Sequence, residues 1–317
     1  MDLITIIRYT FLTAAGAVLL VQFIPSLKAR FLAYGKTAEP IAVGYKDKKA
    51  PPDKTPTLFF LDKIAGLKVP RAWFTHFYVV CVVCNLFWGW QIATHGRAYR
   101  RFGSWVAAEQ EWKEGDKPVV GGQTAHQVVV CWTLLMIQGS RRLYECVYIS
   151  KPGTSKMWIG HYLLGIGYYM VMSVAVWVEG TVAIDKFNFT ISSIHSLVGP
   201  PSAKSFFGFL LFILASGTQH DCHVYLASLK KYTLPAHSVF ETLVCPHYFA
   251  ECIIYLALAI MSAPRGRGVV LNTTMVTGLL FVGSCLGCSS LMSREWYEGK
   301  FGRHTMEHRW NMIPYIF

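Results

Sequence analysis

The sequence predicts an all-α fold: a polytopic membrane protein built as a bundle of seven transmembrane helices. Hydrophobic residues make up 53% of the 317 positions and charged residues only 15%, whereas a typical soluble domain carries about 25% charged residues. The apolar residues form long runs, and the basic residues lie mostly between those runs. A net charge of +12 is therefore better explained by orientation in a membrane than by nucleic-acid binding.

Seven apolar runs are candidate spans, because a helix needs about 20 residues to cross the hydrocarbon core of a bilayer. They cover residues 3–24, 73–94, 125–149, 157–178, 206–229, 249–263 and 269–292. The first run is longer than a signal-peptide core and lacks a clear cleavage site, so we expect it to be retained. The sixth run is short unless its helix extends back towards Val239. Together the runs predict a single membrane-embedded domain, 1–317.

The distribution of basic residues predicts the orientation. Twenty of the 30 Lys and Arg residues fall on one side of the predicted bundle, ten of them between the first two spans. By the positive-inside rule this side is cytosolic, which places the N-terminus in the lumen and the C-terminus in the cytosol. Two glycosylation sequons, at Asn188 and Asn272, fall on the lumenal side, in agreement with this orientation.

Cysteine and histidine spacings raise the question of a metal site. Cys-x-x-Cys pairs begin at Cys81 and Cys285, but both lie in apolar runs, where cysteine packs as a small hydrophobic residue. His220-x-x-His223 is similar to the histidine boxes of membrane di-iron enzymes, which need many more histidines or carboxylates. We therefore expect no metal.

Polar residues inside the apolar runs predict a shared cavity near the cytosolic ends of the spans. A charged side chain at the bilayer centre costs roughly 2.5–3.5 kcal/mol on insertion scales, so such residues usually mark a functional site. The groups are Arg141, Arg142 and Glu145; Ser216, Gln219, His220 and His223; His247, Tyr248, Glu251 and Tyr255; and His76 beside Trp73 and Tyr78. Each group also has a purely structural interpretation, such as an ion pair between Arg141 and Glu145 four residues apart on one helix.

Six segments in sequence order resemble the steroid 5α-reductase family, and within it the branch that reduces polyprenols or polyprenals. They are RFLAYGKTAEP, VPRAWFTHFY, RRLYECVY, TQHDCHVYLASLKK, CPHYFAECIIY and the C-terminal WYEGKF…RWNMIPYIF. The segments run from about Arg30 to Phe317, so the resemblance covers most of the chain.

The resemblance implies an NADPH-dependent oxidoreductase of the endoplasmic reticulum membrane. Such an enzyme saturates the α-isoprene double bond of a long-chain polyprenal (or polyprenol) to give dolichal (or dolichol), which supports protein N-glycosylation. Helices one to three, in 1–150, would form the substrate side, and helices four to seven with the tail, in 151–317, the cofactor side. The implied partners are a polyprenyl lipid and membrane lipids, with no nucleic acid and no metal.

The resemblance also implies site residues. His76 stands where the steroid-reducing members have a glutamate, and Gly139 falls near the position of their paired tyrosine, so we expect His76, aided by Tyr144, to act in catalysis. Trp73 and Tyr34 are expected at the substrate. The expected cofactor-binding residues are Arg142, Gln219, His223, Lys230, His247, Tyr248, Glu251, Tyr297 and Arg309.

Several alternatives stay open at this point. The chain could be a steroid or enoyl-lipid double-bond reductase of the same fold, a membrane prenyl-protein methyltransferase that binds S-adenosylmethionine, or a lipid carrier without catalysis. Within the polyprenyl branch, the motifs do not distinguish aldehyde from alcohol, NADPH from NADH, one chain length from another, or a monomer from an oligomer.

Overall fold

The computed structural model describes residues 2–32, 56–113, 122–151, 153–190, 192–193, 202–230, 232–264 and 268–317, with only the backbone of 107–113. The expected substrate residue Tyr34 lies outside these ranges. The longer helices are α1 Leu3–Phe23, α2 Pro56–Ala65, α3 Thr75–Ala93, α4 Arg97–Lys113, α5 Ala125–Tyr144, α6 Ile159–Ala175, α7 Ala203–Ser228, α8 Pro246–Met261 and α9 Thr273–Phe301. The structure also has two short strands, β1 Lys68–Pro70 and β2 Lys156–Trp158.

Short helical turns extend or connect these elements. A π-helical turn, Glu145–Ile149, continues α5, and a 3₁₀ turn, Arg71–Phe74, leads into α3. The remaining turns are Pro25–Leu27, Lys28–Leu32, Val178–Gly180, Thr181–Asp185, Ser238–Glu241 and Arg303–Thr305.

The structure is mostly helical and has the character of a polytopic membrane protein. Within the described residues, four helical stretches are long and apolar enough to cross a membrane: Leu3–Phe23, Arg71–Ala93, Ile159–Asp185 and Thr273–Phe301. Helix α8 is apolar but shorter, while α5 and α7 carry polar residues on one face. A helix therefore lies at each of the seven predicted positions, and the number of spans stays a prediction.

Local sequence explains where several helices begin. Thr124 caps α5 in a capping box with Gln127, in which each side chain accepts a hydrogen bond from the other residue's backbone N–H. Asn272 caps α9 by accepting from the backbone N–H of Met275 at 2.9 Å. Such caps satisfy backbone donors that the first turn of a helix leaves unpaired.

Helices α7 and α8 pack closely through a glycine. A Cβ atom placed on Gly208 of α7 would lie 2.5 Å from Cγ of Met261 and 3.3 Å from the backbone oxygen of Ala257, both on α8. Inside a bilayer the hydrophobic effect does not drive helices together, and small residues allow their backbones to approach closely and pack.

A short antiparallel pair connects the starts of α3 and α6. Val69 of β1 lies opposite Met157 of β2, and both side chains are buried. The backbone N–H of Arg71 donates to the carbonyl of Ser155 at 2.9 Å, which extends the pairing towards α3.

A polar network lies at the opposite end of the bundle. The carboxylate of Glu179 accepts from Arg8 at 2.9 Å, from Asn272 at 2.9 Å and from the hydroxyl of Thr274. Arg8 also donates from Nε to the Thr274 hydroxyl oxygen at 2.8 Å. The network joins α1, the turn after α6 and the start of α9.

Three details differ from the sequence-based expectations. Helix α8 begins at Pro246 and does not reach back to Val239, because Pro at the first helical turn starts a new helix. Helix α4 was not expected, since its residues are too polar for a span. Asn272 is fully buried with its amide bonded to Glu179, so its sequon is inaccessible in the folded protein, whereas Asn188 is exposed.

Candidate active site

A cavity lies among α3, α5, α6, α7, α8 and α9, and two kinds of surface line it. Helices α5, α7 and α8 contribute a polar wall, whose lining residues are Arg142, Gln219, His223, His247, Tyr248 and Glu251. Helices α3, α6 and α9 contribute a mainly apolar wall, whose lining residues are Phe74, Phe77, Tyr78, His161, Leu164, Gly165, Tyr168, Tyr169, Phe281, Val282, Cys285 and Leu286. The cavity is therefore amphipathic from side to side.

Glu145 organises the charged groups behind the polar wall. Its side chain is completely buried at the start of the π-helical turn after α5. The two carboxylate oxygens contact the guanidinium groups of Arg141 and Arg142, and each lies 2.8 Å from Nδ1 of a histidine, His220 or His223. A buried carboxylate with this many polar contacts is well compensated for its loss of water.

A layer of amides connects this cluster to α8. Gln138 donates from Nε2 to Oε1 of Gln219 at 2.9 Å and to Oε2 of Glu251 at 3.2 Å, and Gln219 also donates to Glu251. Arg141 donates to the side-chain oxygens of Gln138 and Gln219. Two guanidinium groups, of Arg141 and Arg142, thus share one network with two carboxylates, of Glu145 and Glu251, so that these four charges balance.

Tyr78 meets the polar wall from the opposite side of the cavity. Nε of Arg142 donates to the Tyr78 hydroxyl oxygen at 3.1 Å, and the guanidinium carbon lies 4.9 Å from the centroid of the tyrosine ring. Tyr78 is buried, and its ring lies 5.5 Å from that of Tyr169. The apolar wall and the polar wall meet at this contact.

The rotation of α3 decides which of its residues reach the cavity. Phe74, Phe77 and Tyr78 share one helical face and line the cavity. His76 lies on another face, is exposed, and its Nδ1 is 3.1 Å from the hydroxyl of Tyr162. Trp73 is also exposed and packs against His76 with ring centroids 5.6 Å apart.

The other expected catalytic residue, Tyr144, also lies away from the cavity lining. Its side chain is 53% exposed, and its ring packs 5.1 Å from that of Tyr148. The structure therefore does not bring His76, Trp73 or Tyr144 together with the polar wall.

Most of the expected cofactor-binding residues converge. Six of them form the polar wall itself. Tyr297 belongs to a buried cluster with Val244, Cys245, Trp296 and Met306, against which Tyr248 packs, so Tyr248 joins this cluster to the cavity. Lys230 is exposed at the end of α7, and Arg309 donates to the carbonyl of Pro235 at 2.7 Å.

The C-terminal segment is folded against the bundle rather than free. Arg294 donates to the backbone carbonyl of Arg309 at 2.6 Å and to that of Met306 at 2.7 Å. Trp310 exchanges backbone hydrogen bonds with the segment before α8, donating to Thr242 and accepting from Val244, both at 2.8 Å. These bonds hold the tail beside the polar wall.

Sequence reasoning missed part of the cavity wall. Tyr168 and Tyr169 on α6 line it, and so does His161, about two turns earlier on the same helix. Their signal was weak because tyrosines in an apolar run also pack as ordinary core residues. Glu145 was noticed as a buried charge, but its contacts with two histidines of α7 could not be read from spacing along one helix.

The chain is similar in sequence to known reductases. Residues 168–317 match the family model described as 3-oxo-5-alpha-steroid 4-dehydrogenase. The chain is 30% identical over 261 residues to a Xenopus laevis protein named polyprenal reductase, covering 78% of each chain. The human polyprenal reductase is 27% identical over the same share of each chain. The Saccharomyces cerevisiae polyprenal reductase is 27% identical over 90% of this chain and 85% of its own.

These matches include the helices that form the polar wall and the folded tail. The chain belongs to the steroid 5α-reductase family, in the branch of the polyprenal reductases.

Proposed function

We propose that the cavity is the active site of an oxidoreductase that reduces the α-isoprene double bond of a long-chain polyprenal to give dolichal. The relatives named polyprenal reductase support this reaction. The observation that carries it is the amphipathic cavity: an apolar wall on α3, α6 and α9 faces a polar wall on α5, α7 and α8. A lipid with a small polar head needs both surfaces.

The aldehyde is the chemically favoured substrate. Hydride adds to a carbon–carbon double bond when a conjugated carbonyl withdraws electrons from it, and an allylic alcohol lacks that carbonyl. We therefore assign polyprenal rather than polyprenol to the cavity, with the isoprene chain along the apolar wall.

The residues present fit a reduced nicotinamide dinucleotide. Arg142, His223 and His247 provide polar groups beside the aromatic ring of Tyr248, where a planar nicotinamide could lie. Outside the cavity lining, Arg309 and Lys300 would provide cations for phosphate, and Lys300 lies 4.3 Å from the ring centroid of Tyr232. The bound cofactor, proposed to be NADPH, supplies the hydride, while these side chains bind and orient it.

The roles of the individual side chains are part of this proposal. Arg142, Gln219, His223, His247, Tyr248 and Glu251 would bind the cofactor at the polar wall. Tyr297, Arg309 and Lys230 would contribute from outside the cavity lining. The catalytic roles of His76 and Tyr144 stay predictions that rest on the family resemblance.

We further propose seven spans in the endoplasmic reticulum membrane, formed by α1, α3, α5, α6, α7, α8 and α9. The excess of Lys and Arg on the side of the tail supports a cytosolic C-terminus and a lumenal N-terminus. This orientation would place the residues of the polar wall near the cytosolic ends of α5, α7 and α8, where soluble cofactor is available.

A reconstituted assay tests the function. Purified protein in liposomes is given polyprenal with NADPH or NADH, and the products are identified by mass spectrometry. We expect dolichal with NADPH. Parallel reactions contain polyprenol or a steroid enone, and thermal-shift measurements compare NADPH with S-adenosylmethionine. Faster reduction of the steroid, or stabilisation by S-adenosylmethionine alone, would contradict the proposal.

A further inference from the structure

We infer that Tyr78 is the hydrogen-bond and proton donor to the carbonyl oxygen of the substrate, oriented by Arg142. This inference rests on the proposed reduction of an enal in the cavity. It assigns the donor to a residue of the apolar wall, at the point where that wall touches the polar one.

The direction of one hydrogen bond carries the argument. An arginine Nε can only donate, so the Tyr78 hydroxyl oxygen accepts from Arg142 at 3.1 Å. The tyrosine proton is then directed away from Arg142, and Tyr78 lines the cavity. The hydroxyl is thus presented as a donor to a group inside the cavity.

The charge of Arg142 suits this task. Its guanidinium lies 4.9 Å from the centre of the Tyr78 ring, so it stabilises negative charge that develops on the tyrosine oxygen. Glu145 contacts the same guanidinium and fixes its position. Glu145 therefore acts through Arg142 as a positioning residue, and it is not itself part of the cavity lining.

The proposed step balances in atoms and electrons. Hydride from the reduced nicotinamide forms a C–H bond at the β-carbon of the enal, and the π electrons of the double bond move towards the carbonyl oxygen. The Tyr78 O–H bond breaks and its proton goes to that oxygen, giving an enol and a tyrosinate. Water protonates the α-carbon as the enol O–H proton is lost, and a solvent proton restores Tyr78. The net change is addition of one hydride and one proton.

A neighbouring tyrosine, Tyr255, differs from Tyr78 in its position. Tyr255 is buried on α8 and packs against Tyr168 with ring centroids 6.0 Å apart, but it is not part of the cavity lining. It is therefore a matched control: a buried tyrosine of the same cluster whose hydroxyl is not presented to a ligand.

The first test compares kinetic constants of Tyr78→Phe, Tyr255→Phe and His76→Ala with those of the wild-type protein in liposomes. Removal of one donor to a developing oxyanion typically lowers kcat about 10²–10³-fold. We expect that loss for Tyr78→Phe with KM nearly unchanged, and a change below about threefold for Tyr255→Phe. A full kcat for Tyr78→Phe, or a loss confined to His76→Ala, would overturn the inference.

The second test does not depend on turnover. A short-chain aldehyde without a conjugated double bond, citronellal labelled with ¹³C at the carbonyl, is added to protein without cofactor, and its carbonyl stretch is measured by difference infrared spectroscopy. A hydrogen bond from Tyr78 lowers this frequency in the wild-type protein and in Tyr255→Phe. The shift should disappear in Tyr78→Phe, and an identical spectrum in all three would contradict the assignment.

The two proposals fail in different ways. If the wild-type protein reduces no polyprenal, the proposed function is wrong. If the wild-type protein is active and Tyr78→Phe matches it in either test, only the assignment of the donor is wrong.

Discussion

The single carboxylate of Glu145 compensates the buried Arg142 and the partly buried Arg141, and it also contacts two imidazoles. Charges removed from water are retained only when they are paired and hydrogen-bonded, because each ion costs several kcal/mol to desolvate. The pairing with Arg141 and Arg142 is local along the chain, whereas His220 and His223 arrive from α7. Glu145 therefore joins α5 to α7 as well as holding Arg142 near Tyr78.

Replacing Glu145 by Gln should destabilise the protein strongly. The amide keeps the size of the side chain but removes the negative charge, and breaking a buried ion pair costs about 3–5 kcal/mol. Thermal unfolding in detergent would measure the effect.

The matched control is Glu295→Gln. Glu295 pairs with Lys28, but its side chain is 58% exposed, and exposed pairs contribute about 0–1 kcal/mol. Equal losses for the two variants would show that Glu145 is not the centre of a buried charge network.

The comparison of His76 with Tyr78 shows what sequence can establish at this scale. Spacing groups Gln219 with His223, and His247 with Glu251, onto shared helical faces, and the structure places all four in the polar wall. Alignment with the family's glutamate selects position 76, yet position 78 is only two residues further along the chain. The rotation of α3 about its axis decides between them, and packing against α5 and α6 fixes that rotation.

Among the elements, α7 has two faces with different neighbours. Gly208 lies against α8, where an added Cβ would meet Met261, whereas a Cβ on Gly217 of the same helix would have no heavy atom within 4 Å. One glycine is thus required by packing and the other is not.

Gly208→Leu should lower stability and Gly217→Leu should not. Overpacking a close contact costs about 1–3 kcal/mol, while leucine in place of glycine favours a helix and suits a lipid-facing surface. Unfolding of both variants in detergent provides the measurement. If Gly217→Leu were the less stable variant, the contact between α7 and α8 would differ from the one described.

Hydrophobic runs predicted the positions of the long helices well, since a bilayer imposes length and apolarity on each one. The antiparallel pair between β1 and β2 could not be predicted, because its three-residue strands carry no periodic signal and pair segments far apart in the chain. Helix α4 was missed because it is polar. It has Arg97, Arg100 and Arg101 in its first turns, whereas the spans were found by their apolar character.

At the scale of the whole molecule, the two sequons can report the orientation in the membrane. Asn188 is exposed after α6, whereas Asn272 donates to Glu179 at 2.9 Å and to the carbonyl of Ser262 at 3.3 Å inside the bundle. The Asn188 side chain is therefore accessible and the Asn272 side chain is not, even though both sequons lie at the same end of the bundle.

Expression with microsomes should give one glycan, at Asn188, if that end is lumenal. Asn188→Gln would abolish the endoglycosidase-sensitive shift on a gel, and Asn272→Gln would leave it unchanged. A glycan at Asn272 would contradict the buried position of its amide. The absence of a glycan from both the wild-type protein and Asn272→Gln would argue against the proposed orientation.

The Glu179 network fixes how the bundle can deform. Arg8, Asn272 and Thr274 cross-link α1, the turn after α6 and α9 at one end, and Thr274 is 11 residues, about 16 Å of helix, from Cys285 at the cavity. Helices that are joined by hydrogen bonds at one end can separate only at the other end. A long lipid would therefore be admitted by separation of the helices at the end that holds the cavity, while the end at Glu179 stays closed.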